Sequence, residues 1–394
     1  MKHVVIVGKF YPPTHGGVER YASDIVSAVS KKYRVTVVVH NTGAGDVIEA
    51  EGNVTVIRCG TPTIRSSQPL SPSMFGHLRA LEPDLVHFNA PNFYAAAMLL
   101  LVRYKAPLIV THHADVFGRP ILRRMAMPIY RRLVRRAKCI VVNSLKNAVT
   151  SKDLPRSAGP FVEIPWGVDA SAYNLDARLR TEVSRQRRER FGSAPVVGFI
   201  GRFVRYKGLQ VLIQALEQLD GVHGLLIGDG PLLPEIIEQV RTAGISNRVH
   251  FLGAVDESSK IRALAMMDLL ILPSVDTTEA FGLAQVEAQL MSLPVVVSRL
   301  PTGVTDVTVD HETGLLVPPR DPNSLAKSIA QLIEDPVLAR RLGVSGHQRA
   351  LGNFTLDVFR RRINELFDIV LSGRSLSELA DLKVKVVQQM SAPT

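Results

Sequence analysis

The sequence predicts an α/β protein built from two doubly wound domains, and three observations support this class. Short, continuous apolar runs rich in Val and Ile recur along the 394-residue chain, with helical stretches between them. Continuous runs are typical of strands buried on both faces of a parallel sheet, whereas alternating runs indicate a sheet with one wet face. The runs form two series, separated by a segment with Pro and Gly at residues 164–169. Two series of alternating strands and helices predict two such domains.

The predicted strands divide the chain. In the first series they lie at residues 4–7, 35–39, 54–57, 85–88, 108–111, 140–142 and 161–164, and in the second at 196–200, 224–227, 249–252, 269–272, 295–297 and 315–317. An Arg-rich polar stretch predicts a surface helix over 178–190, and apolar residues at helical spacing predict another over 354–371. The domains expected from these elements are an N-terminal domain over 1–170, a linker over 171–194, a second domain over 195–354, and a C-terminal helix and tail over 355–394 that packs back toward the N-terminal domain.

Composition indicates an ordinary globular protein. Hydrophobic residues make up 46% of the chain and charged residues 21%, which provides apolar material for two cores and excludes disordered and disulfide-framework classes. Cys59 and Cys139 lie in no metal-ligand spacing and indicate a reducing, cytoplasmic compartment. The longest apolar stretch, residues 95–102, is shorter than the roughly 18 residues that cross a bilayer, so no transmembrane segment is expected.

The positive charge of the chain lies in its first half. Residues 1–195 carry 28 Lys and Arg against 14 Asp and Glu, whereas residues 196–394 carry 19 against 22. The net charge of +11 therefore combines a strongly basic first domain with a mildly acidic second one. Nucleic acid, an anionic membrane surface or a phosphorylated substrate would each suit the basic domain.

Two glycine-containing motifs follow predicted strands. Gly16 and Gly17 precede a helix, where adjacent glycines let a ligand approach the backbone and free N–H groups face an anion, although an ordinary βα turn explains them equally well. After the strand at 196–200, Arg202 and Lys207 stand five positions apart in a turn before a helix. Ligands of open parallel sheets bind at the carboxyl ends of strands, so both cations would reach a diphosphate there. Two loop cations that are exposed to solvent and bind no ligand would give the same sequence pattern.

The most specific motif covers residues 279–287. It follows the strand at 269–272, with Glu279 ahead of a predicted helix and Glu287 about two turns inside it. Amides of the first helical turn are unpaired donors at a positive dipole end, which suits a phosphate or a sugar hydroxyl. Taken singly, each glutamate has a simpler explanation. Glu279 would favour the helix start, and Glu287 would lie on a solvated face.

Together these motifs resemble those of the retaining glycosyltransferases of family 4. The resemblance covers the chain to about residue 370 and implies the GT-B fold, in which two facing Rossmann-like domains hold the active site in the cleft between them. Trp166 departs from the pattern, since the family more often has Asn, Tyr or His there. The matching segments are Gly16-Gly17, Thr111-His112-His113-Ala114-Asp115, Ile164-Pro165-x-Gly167-Val168-Asp169, Gly201-Arg202-x(4)-Lys207-Gly208, Gly228-x-Gly230-Pro231, Phe251-Leu252-Gly253, the segment 279–287 and Thr313-Gly314-Leu315-Leu316-Val317.

The resemblance implies a role for each matching residue. Arg202 and Lys207 would hold the donor diphosphate and stabilise the leaving nucleoside diphosphate, and Glu279 would contact the sugar near the reacting carbon. His113 matches the family's N-domain histidine that contacts the donor sugar, and His112 is the weaker match. The other donor-binding candidates are Glu287 at the ribose, Val255 and Lys260 beside the base, Gly16 and Gly17 at the phosphates, and the amides of Phe281, Gly282 and Leu283.

The residue types suit transfer without a metal ion. The departing diphosphate gains negative charge, which fixed cations and N–H groups stabilise. No Asp-x-Asp triplet, the metal-binding element of the other main glycosyltransferase fold, occurs in the chain, so Arg202 and Lys207 would replace the metal and no cofactor is expected. Paired carboxylates, as in retaining glycosidases, are the competing mechanism. Glu279 lies in a loop and Glu287 in a helix, so the two carboxylates are expected to be too far apart for the paired mechanism. We therefore favour attack by the acceptor hydroxyl on the face from which the leaving group departs.

Residues 119–138 form a basic amphipathic pattern. Arginines recur between apolar residues at helical spacing, which is typical of a helix that lies on an anionic membrane or binds a polyprenyl-diphosphate-linked acceptor. A packed helix with a solvated basic face is an equally good explanation. Nucleic acid is disfavoured, because the segment has one aromatic residue, Tyr130, and no recognised binding module. The arginines concerned are Arg123, Arg124, Arg131, Arg132, Arg135 and Arg136.

These observations predict a metal-independent hexosyltransferase. The segment His112-His113-Ala114-Asp115 is similar to that of bacterial polysaccharide mannosyltransferases, which favours GDP-mannose as the donor. The resemblance implies a lipid-linked or polysaccharide-precursor acceptor, met on the inner face of the cytoplasmic membrane. Two alternatives remain open, a nucleotide-sugar epimerase of the same fold and a binding protein without transferase activity. Release of nucleoside diphosphate with and without an acceptor distinguishes the three.

Overall fold

The chain folds into two compact units. The computed structural model describes residues 1–14, 16–65, 68–115 and 120–389. Unit 1 holds Met1–Trp166 together with the chain from Asp357 onward, and unit 2 holds Gly167–Leu356. The chain therefore leaves unit 1 once and returns to it at the end.

Unit 1 contains a nine-stranded sheet and a separate two-stranded hairpin. Its strands in chain order are β1 (His3–Val7), β2 (Arg34–His40), β3 (Val47–Glu51), β4 (Val54–Cys59), β5 (Thr63–Arg65), β6 (Gln68–Leu70), β7 (Leu85–Ala90), β8 (Leu108–His112), β9 (Cys139–Val142), β10 (Phe161–Glu163) and β17 (Lys385–Val387). The large sheet has the order β17-β10-β9-β8-β7-β1-β2-β4-β3, while β5 and β6 form the hairpin. All pairs in the large sheet are parallel except at its edges, where β3 and β17 run antiparallel to their neighbours.

The helices of unit 1 bury their apolar faces against this sheet. In α1 (Gly17–Val29), Tyr21, Ile25 and Val29 recur at helical spacing and are fully or almost fully buried. The helix α3 (Phe93–Val102) starts where the Asn92 side chain accepts a hydrogen bond from the Ala95 amide. The helices are α1 (Gly17–Val29), α2 (Ser73–Arg79), α3 (Phe93–Val102), α4 (Pro120–Val134), α5 (Leu145–Thr150) and α14 (Leu356–Ser372), followed by a 3₁₀ helix at Leu376–Leu382.

Unit 2 contains a six-stranded parallel sheet with the order β13-β12-β11-β14-β15-β16. Its strands are β11 (Val196–Ile200), β12 (His223–Ile227), β13 (Val249–Gly253), β14 (Leu269–Leu272), β15 (Val295–Ser298) and β16 (Leu315–Val317). Its helices are α6 (Ala177–Phe191), α7 (Leu209–Glu217), α8 (Leu233–Thr242), α9 (Glu257–Leu264), α10 (Leu283–Leu290), α11 (Val304–Val307), α12 (Pro322–Glu334) and α13 (Pro336–Asn353), with 3₁₀ helices at Ala170–Tyr173 and Arg205–Lys207.

The prediction of two doubly wound α/β domains is confirmed, and every predicted strand is present. No strand was predicted from the sequence at the positions of β3, β5, β6 and β17. Residues 171–194, interpreted as a linker, contain α6 and belong to unit 2, where Val183 and Phe191 are buried. The C-terminal segment belongs to unit 1, where β17 extends the large sheet beside β10.

Strand order reverses at one point in each sheet. In unit 2 the chain builds outward from β11 to one edge and then from β14 to the other, and in unit 1 the reversal lies between β1 and β7. Loops that leave two such neighbouring strands turn to opposite faces of the sheet, which opens a crevice at the carboxyl ends of the strands. Each unit therefore has one position where a ligand can approach the sheet edge.

The packing of α13 generates a stability prediction. A Cβ at Gly343 would overlap the Ser292 carbonyl oxygen, whereas a Cβ at Gly352 in the same helix would meet no atom within 4 Å. We expect Gly343→Ala to destabilise the protein by about 1–3 kcal/mol through overpacking. The control Gly352→Ala should be neutral or stabilising by up to about 1 kcal/mol. Scanning calorimetry of both variants measures this, and equal transition midpoints would contradict it.

Candidate active site

The crevice of unit 2 is formed by the loops that follow β11 and β14. The Val275 amide donates a hydrogen bond to the Tyr206 carbonyl at 2.8 Å. Gly208 has a φ of +69°, and a Cβ there would overlap the Pro273 carbonyl oxygen. A glycine is therefore required by both the backbone conformation and the close approach of the loops. This approach brings together residues from two distant parts of the chain.

Lys207 and Glu279 form an ion pair in this crevice. The Lys207 Nζ lies 2.7 Å from the Glu279 Oε2, and the two side chains are 13% and 7% exposed. The Ser274 hydroxyl donates to the same carboxylate oxygen at 2.7 Å. A carboxylate that is nearly closed off from water needs such donors, because an unpaired buried charge is costly. Lys207 and Glu279, which belong to separate sequence motifs, thus form one ion pair.

Arg202 lies in the same loop as Lys207 but is exposed. Within the residues that the structure describes, its guanidinium makes no ion pair or hydrogen bond. Its five N–H donors are free to hold an anion in bidentate fashion. The crevice therefore has one cation fixed by Glu279, whose ammonium has three donors, and a second cation that is available to a ligand.

The helix α10 begins at the edge of this crevice. Its N-cap, Gly282, has a φ of +72° and provides no side-chain cap. In the described chain, the amides of Phe281, Gly282 and Leu283 donate to no backbone carbonyl. The Phe281 ring is 5% exposed and packs edge-on against Phe354 at 5.7 Å between ring centroids. The predicted unpaired donors are thus present at the positive end of the helix dipole.

A second cluster of charged groups surrounds Lys260 in α9. The Lys260 Nζ lies 2.8 Å from the Glu287 Oε1 and 3.0 Å from the Glu257 Oε2. Tyr173 donates its hydroxyl proton to the Glu257 Oε1 at 2.9 Å. Burial raises the pKa of Glu287, and the Lys260 ammonium opposes that rise. Glu287 is therefore a paired, largely buried carboxylate and not part of a solvated helix face, while nearby Val255 packs against the core.

In unit 1, α1 begins at Gly17 and Gly16 is its N-cap. A Cβ at Gly17 would meet only the Trp166 ring, at 3.8 Å, so the backbone there is open to close approach. The Glu19 carboxylate lies beside Gly16, however, and faces this helix end. Trp166 is fixed by a hydrogen bond from its indole N–H to the Asp24 Oδ2 at 2.9 Å. His15 lies outside the described residues.

His113 follows β8, on the carboxyl side of the sheet. Its ring meets Tyr21 edge-on at 4.5 Å, and its Nε2 is closed off from solvent with no hydrogen-bond partner in the described part of the chain. Burial, with smaller contributions from the neighbouring His112 and His87 imidazoles, lowers the pKa of His113 to about 3. At neutral pH this imidazole is uncharged, and it can donate or accept a hydrogen bond without contributing charge.

His112 belongs to a structural network. Its Nδ1 lies 2.8 Å from the Tyr130 hydroxyl and its Nε2 lies 3.2 Å from the Asp115 Oδ1. The Asp115 carboxylate also accepts hydrogen bonds from the Ser151 hydroxyl and, at 2.7 Å, from the Lys152 amide. Burial alone would raise the pKa of Asp115, but these hydrogen bonds outweigh it and hold the pKa at about 2. Both ring nitrogens of His112 thus have partners, which agrees with its weaker assignment as a ligand contact.

The basic helix is α4, and its arginines have different environments. Arg131 is partly buried and donates to the carbonyls of Asp153 and Lys152 at 3.1 and 2.6 Å. Arg135 donates to the Ser157 hydroxyl at 3.4 Å, and Arg136 to the Tyr104 carbonyl at 3.5 Å. Arg124 and Arg132 are exposed. The side chain of Arg123 and residues 116–119 lie outside the described part of the structure.

Comparison with known proteins connects these sites to a family. The model of glycosyl transferases group 1 matches residues 180–349, and that of glycosyltransferase family 4 matches residues 15–172. A D-rhamnosyltransferase, WbpZ, of Pseudomonas aeruginosa is 30% identical over 74% of this chain and 75% of its own length. The chain belongs to the group 1 glycosyltransferases. The resemblance given by the motifs is thus confirmed.

Two further relatives of this glycosyltransferase are similar over most of the chain. A GDP-mannose-dependent alpha-(1-6)-phosphatidylinositol monomannoside mannosyltransferase of Mycobacterium tuberculosis is 25% identical over 92% of this chain and 97% of its own length. The structure of a sucrose-phosphate synthase from Thermosynechococcus elongatus superposes with a TM-score of 0.77 at 21% identity, covering 95% of this chain and 100% of the other. Among the described helices of the glycosyltransferase, none combines the length and apolar character needed to cross a membrane.

Several residues of these sites could not be assigned from the sequence. Ser274, Tyr173 and Glu257 complete the two clusters of unit 2, and Tyr21 packs against His113. The one available signal was position, since Ser274 follows β14 at the carboxyl edge of the sheet, where ligand contacts concentrate. Tyr173 and Tyr21 carried no signal, because they lie in a 3₁₀ helix and in an ordinary amphipathic helix.

The buried environment of His113 generates a second prediction. Because its pKa lies near 3, the imidazole should show no protonation between pH 8 and pH 5, and the sign follows from burial disfavouring the cation. NMR titration of the ring protons, assigned by comparison with His113→Asn, measures this directly. A midpoint between pH 5 and pH 8 would mean that His113 carries charge near neutral pH.

Proposed function

We propose that the protein is a retaining, metal-independent hexosyltransferase that moves a sugar from a nucleoside-diphosphate sugar to a lipid-linked or polysaccharide-precursor acceptor. The observation that carries this proposal is the Lys207–Glu279 pair beside the available Arg202 at the β11–β14 crevice. Fixed cations at a sheet edge suit a diphosphate, and a carboxylate held in place beside them suits a sugar. Membership of the family supports the same reaction class.

In this proposal, the diphosphate binds Arg202 and Lys207 and faces the unpaired amides at the start of α10. As the bond between the anomeric carbon and the diphosphate breaks, the electron pair stays on the departing oxygen, where the cations and amides stabilise it. The acceptor hydroxyl then bonds to the anomeric carbon on the same face, and its proton passes to the departing diphosphate. Arg202 and Lys207 would supply the positive charge that a divalent metal ion supplies in the other main glycosyltransferase fold.

The carboxylate of Glu279 is suited to the sugar side of the reaction. Because Lys207 and Ser274 both donate to its Oε2, its position is fixed before any substrate arrives. A fixed negative charge stabilises the positive charge that develops at the anomeric carbon. Neutral His113 would contribute a hydrogen bond to a sugar hydroxyl and not a charge.

The cluster around Lys260 is suited to the nucleoside. The paired Glu287 carboxylate can accept hydrogen bonds from two ribose hydroxyls, and Lys260 and Tyr173 hold that region in place. Val255, partly buried at the start of α9, lies beside this cluster in the sequence. Ribose contacts of this kind persist from bound donor to transition state.

The proposed donor is GDP-mannose, and the proposed site of action is the inner face of the cytoplasmic membrane. The mycobacterial relative is named for GDP-mannose and for phosphatidylinositol monomannoside, which supports this donor and a lipid-linked acceptor. The exposed face of α4 adds a physical argument, since Arg124 and Arg132 lie beside Met125 and Ile129, which are 73% and 37% exposed. Cations next to exposed apolar side chains are typical of helices that bind anionic membranes.

The proposal is tested by finding the donor and following its transfer. Nucleotide sugars are screened for thermal stabilisation, since a ligand at 100 times its dissociation constant adds about 2.7 kcal/mol. Release of nucleoside diphosphate is then measured with and without lipid-linked acceptor, in buffer containing EDTA. NMR of the product gives the anomeric configuration. An inverted product, or activity abolished by EDTA and restored by a divalent ion, would contradict the proposed mechanism.

The two glutamates should separate in steady-state kinetics. Glu279→Gln should lower kcat by about 10²-fold with little change in donor KM, because it removes a charge that acts in the transition state. Glu287→Ala should raise donor KM by roughly ten- to a hundredfold, since a charge-assisted hydrogen bond of about 1.5–3 kcal/mol is lost. The control Glu257→Ala removes a carboxylate that shares Lys260 and Tyr173 and should leave donor KM within about threefold of wild type.

Circular dichroism first establishes that all three variants are folded. Full kcat in Glu279→Gln would remove that residue from catalysis. An equal rise of KM in Glu257→Ala and Glu287→Ala would show that the cluster acts by local structure alone and that Glu287 does not contact ribose.

The membrane part of the proposal predicts salt-dependent vesicle binding. Wild-type protein should sediment with vesicles containing phosphatidylserine at low salt and be released as the Debye length falls to about 8 Å at physiological ionic strength. Arg124→Glu with Arg132→Glu should abolish binding. The control is Lys31→Glu with Lys105→Glu, which changes the charge equally at two exposed positions of unit 1. If both double variants sediment like wild type, α4 is only a packed helix with a solvated basic face.

A further inference from the structure

Unit 1 contains a surface pocket that shares Arg131 and Arg135 with the basic pattern of α4 but otherwise uses residues assigned no role above. It has a volume of about 840 Å³ and lies between the end of α4 and the segment 149–157. We call it the cationic pocket, because its lining includes Arg131, Arg135, Lys152 and Arg156 and no carboxylate. The remaining lining residues are hydroxyl-bearing or apolar, namely Val149, Thr150, Ser151, Leu154, Pro155 and Ser157.

Two of the four cations contact the protein. Arg131 uses its Nε and Nη2 to donate to the carbonyls of Asp153 and Lys152, and Arg135 uses its Nε to donate to the Ser157 hydroxyl at 3.4 Å. A guanidinium has five N–H donors, so both arginines retain donors for a ligand. Lys152 and Arg156 are exposed. Guanidinium groups beside a lysine and a further arginine suit a compact, multiply charged anion.

The carboxylates nearest to the pocket do not neutralise it. Asp115 lies behind the wall and is committed to His112, to the Ser151 hydroxyl and to the Lys152 amide. Asp153 is 1% exposed and contributes no lining surface. Among the described residues that line the pocket, four carry positive charge and none carries negative charge.

The same hydrogen bonds place the pocket near the candidate sugar-binding edge of unit 1. Asp115 contacts the pocket wall on one side and His112 on the other, and His112 adjoins His113 in the chain. The wall is thus tied by side-chain contacts to the carboxyl end of β8. An anion at Lys152 would thus be linked to the carboxyl end of β8 through Asp115 and His112.

We propose that the cationic pocket binds the phosphate or diphosphate group that carries the acceptor sugar. The inference rests on the proposed function, because it names the group by which the acceptor of that reaction is held. Guanidinium pairs match phosphate oxygens in bidentate geometry, and a terminal phosphate has the charge density that four cations favour. The apolar lining from Val149, Leu154 and Pro155 suits the hydrocarbon next to the phosphate of a lipid carrier.

Calorimetric titration with inorganic pyrophosphate tests the site. The wild-type chain should bind two molecules, one in the donor crevice and one in the cationic pocket. Lys152→Glu with Arg156→Glu should weaken the second site at least tenfold and leave the first unchanged. These substitutions keep the Lys152 backbone groups that Asp115 and Arg131 contact. Arg202→Ala should weaken the first site alone, and Lys31→Glu with Lys105→Glu should weaken neither.

Vesicles distinguish the source of the phosphate. Wild-type protein should bind phosphatidic acid, which has a terminal phosphate, more tightly than phosphatidylserine at equal surface charge. Loss of this preference in the Lys152→Glu, Arg156→Glu variant assigns the pocket to a lipid-borne phosphate. A pyrophosphate site without any lipid preference assigns it to a soluble phosphorylated acceptor, and both outcomes support the shared chemistry.

Failure of the inference is distinguishable from failure of the proposed function. If the Lys152→Glu, Arg156→Glu variant binds pyrophosphate with wild-type stoichiometry and affinity, the cationic pocket is overturned as a phosphate site, whatever Arg202→Ala does. If that variant loses one site but Arg202→Ala loses none, the pocket stands and the donor crevice assignment falls. A single wild-type site that only Arg202→Ala abolishes also overturns the pocket.

Discussion

The reversal of strand order between β11 and β14 is the constraint on which the candidate site depends. Parallel strands need crossover connections on the faces of the sheet, and only where the direction of winding changes do neighbouring loops separate. Arg202 and Lys207 leave one of these strands, and Ser274 and Glu279 leave the other. The ion pair that joins them is mostly buried, and it is tolerated because each charge meets a partner. Topology thus determines which residues meet, and close backbone packing at Gly208 determines how tightly.

Much of the fold could be predicted from the sequence, for physical reasons that differ from one strand to another. The central strands were recognisable because burial on both faces demands continuous apolar runs. The two edge strands of the large sheet were not, since all five residues of β3 are exposed and β17 has only three residues in a polar tail. Their assignment depends on a neighbouring strand, Val54–Cys59 or Phe161–Glu163, that the local sequence does not reveal. The edge strands β13 and β16 of unit 2 were recognisable because they keep partly buried apolar runs, whereas β3 and β17 are defined mainly by the strands that they pair with.

The residues of the candidate site were also predictable only in part. Motifs gave Glu279, Glu287, Lys207 and Lys260 by residue type and position, but not which carboxylate each lysine contacts. Such pairings join residues far apart in the chain, and only the packed sheet defines their separation. The arginines of α4 illustrate the same limit, because a helical pattern cannot tell Arg131, which binds loop carbonyls, from Arg132, which is exposed. The basic pattern of α4 thus combines arginines that bind neighbouring backbone or hydroxyl groups with arginines that are exposed to solvent.

The discontinuity of unit 1 has a consequence for how the chain acquires its structure during synthesis. Unit 2 is one continuous stretch, whereas unit 1 needs its C-terminal segment, where Phe359 packs against Tyr21, Phe367 against His87, and β17 pairs with β10. A growing chain on the ribosome holds all of unit 2 before the last strand of unit 1 has been made. The N-terminal residues of unit 1, although translated first, lack the partner strand of β10 and the aromatic contacts of α14 until residues 357–387 have been made. The segment translated after unit 2 is thus the one that completes unit 1.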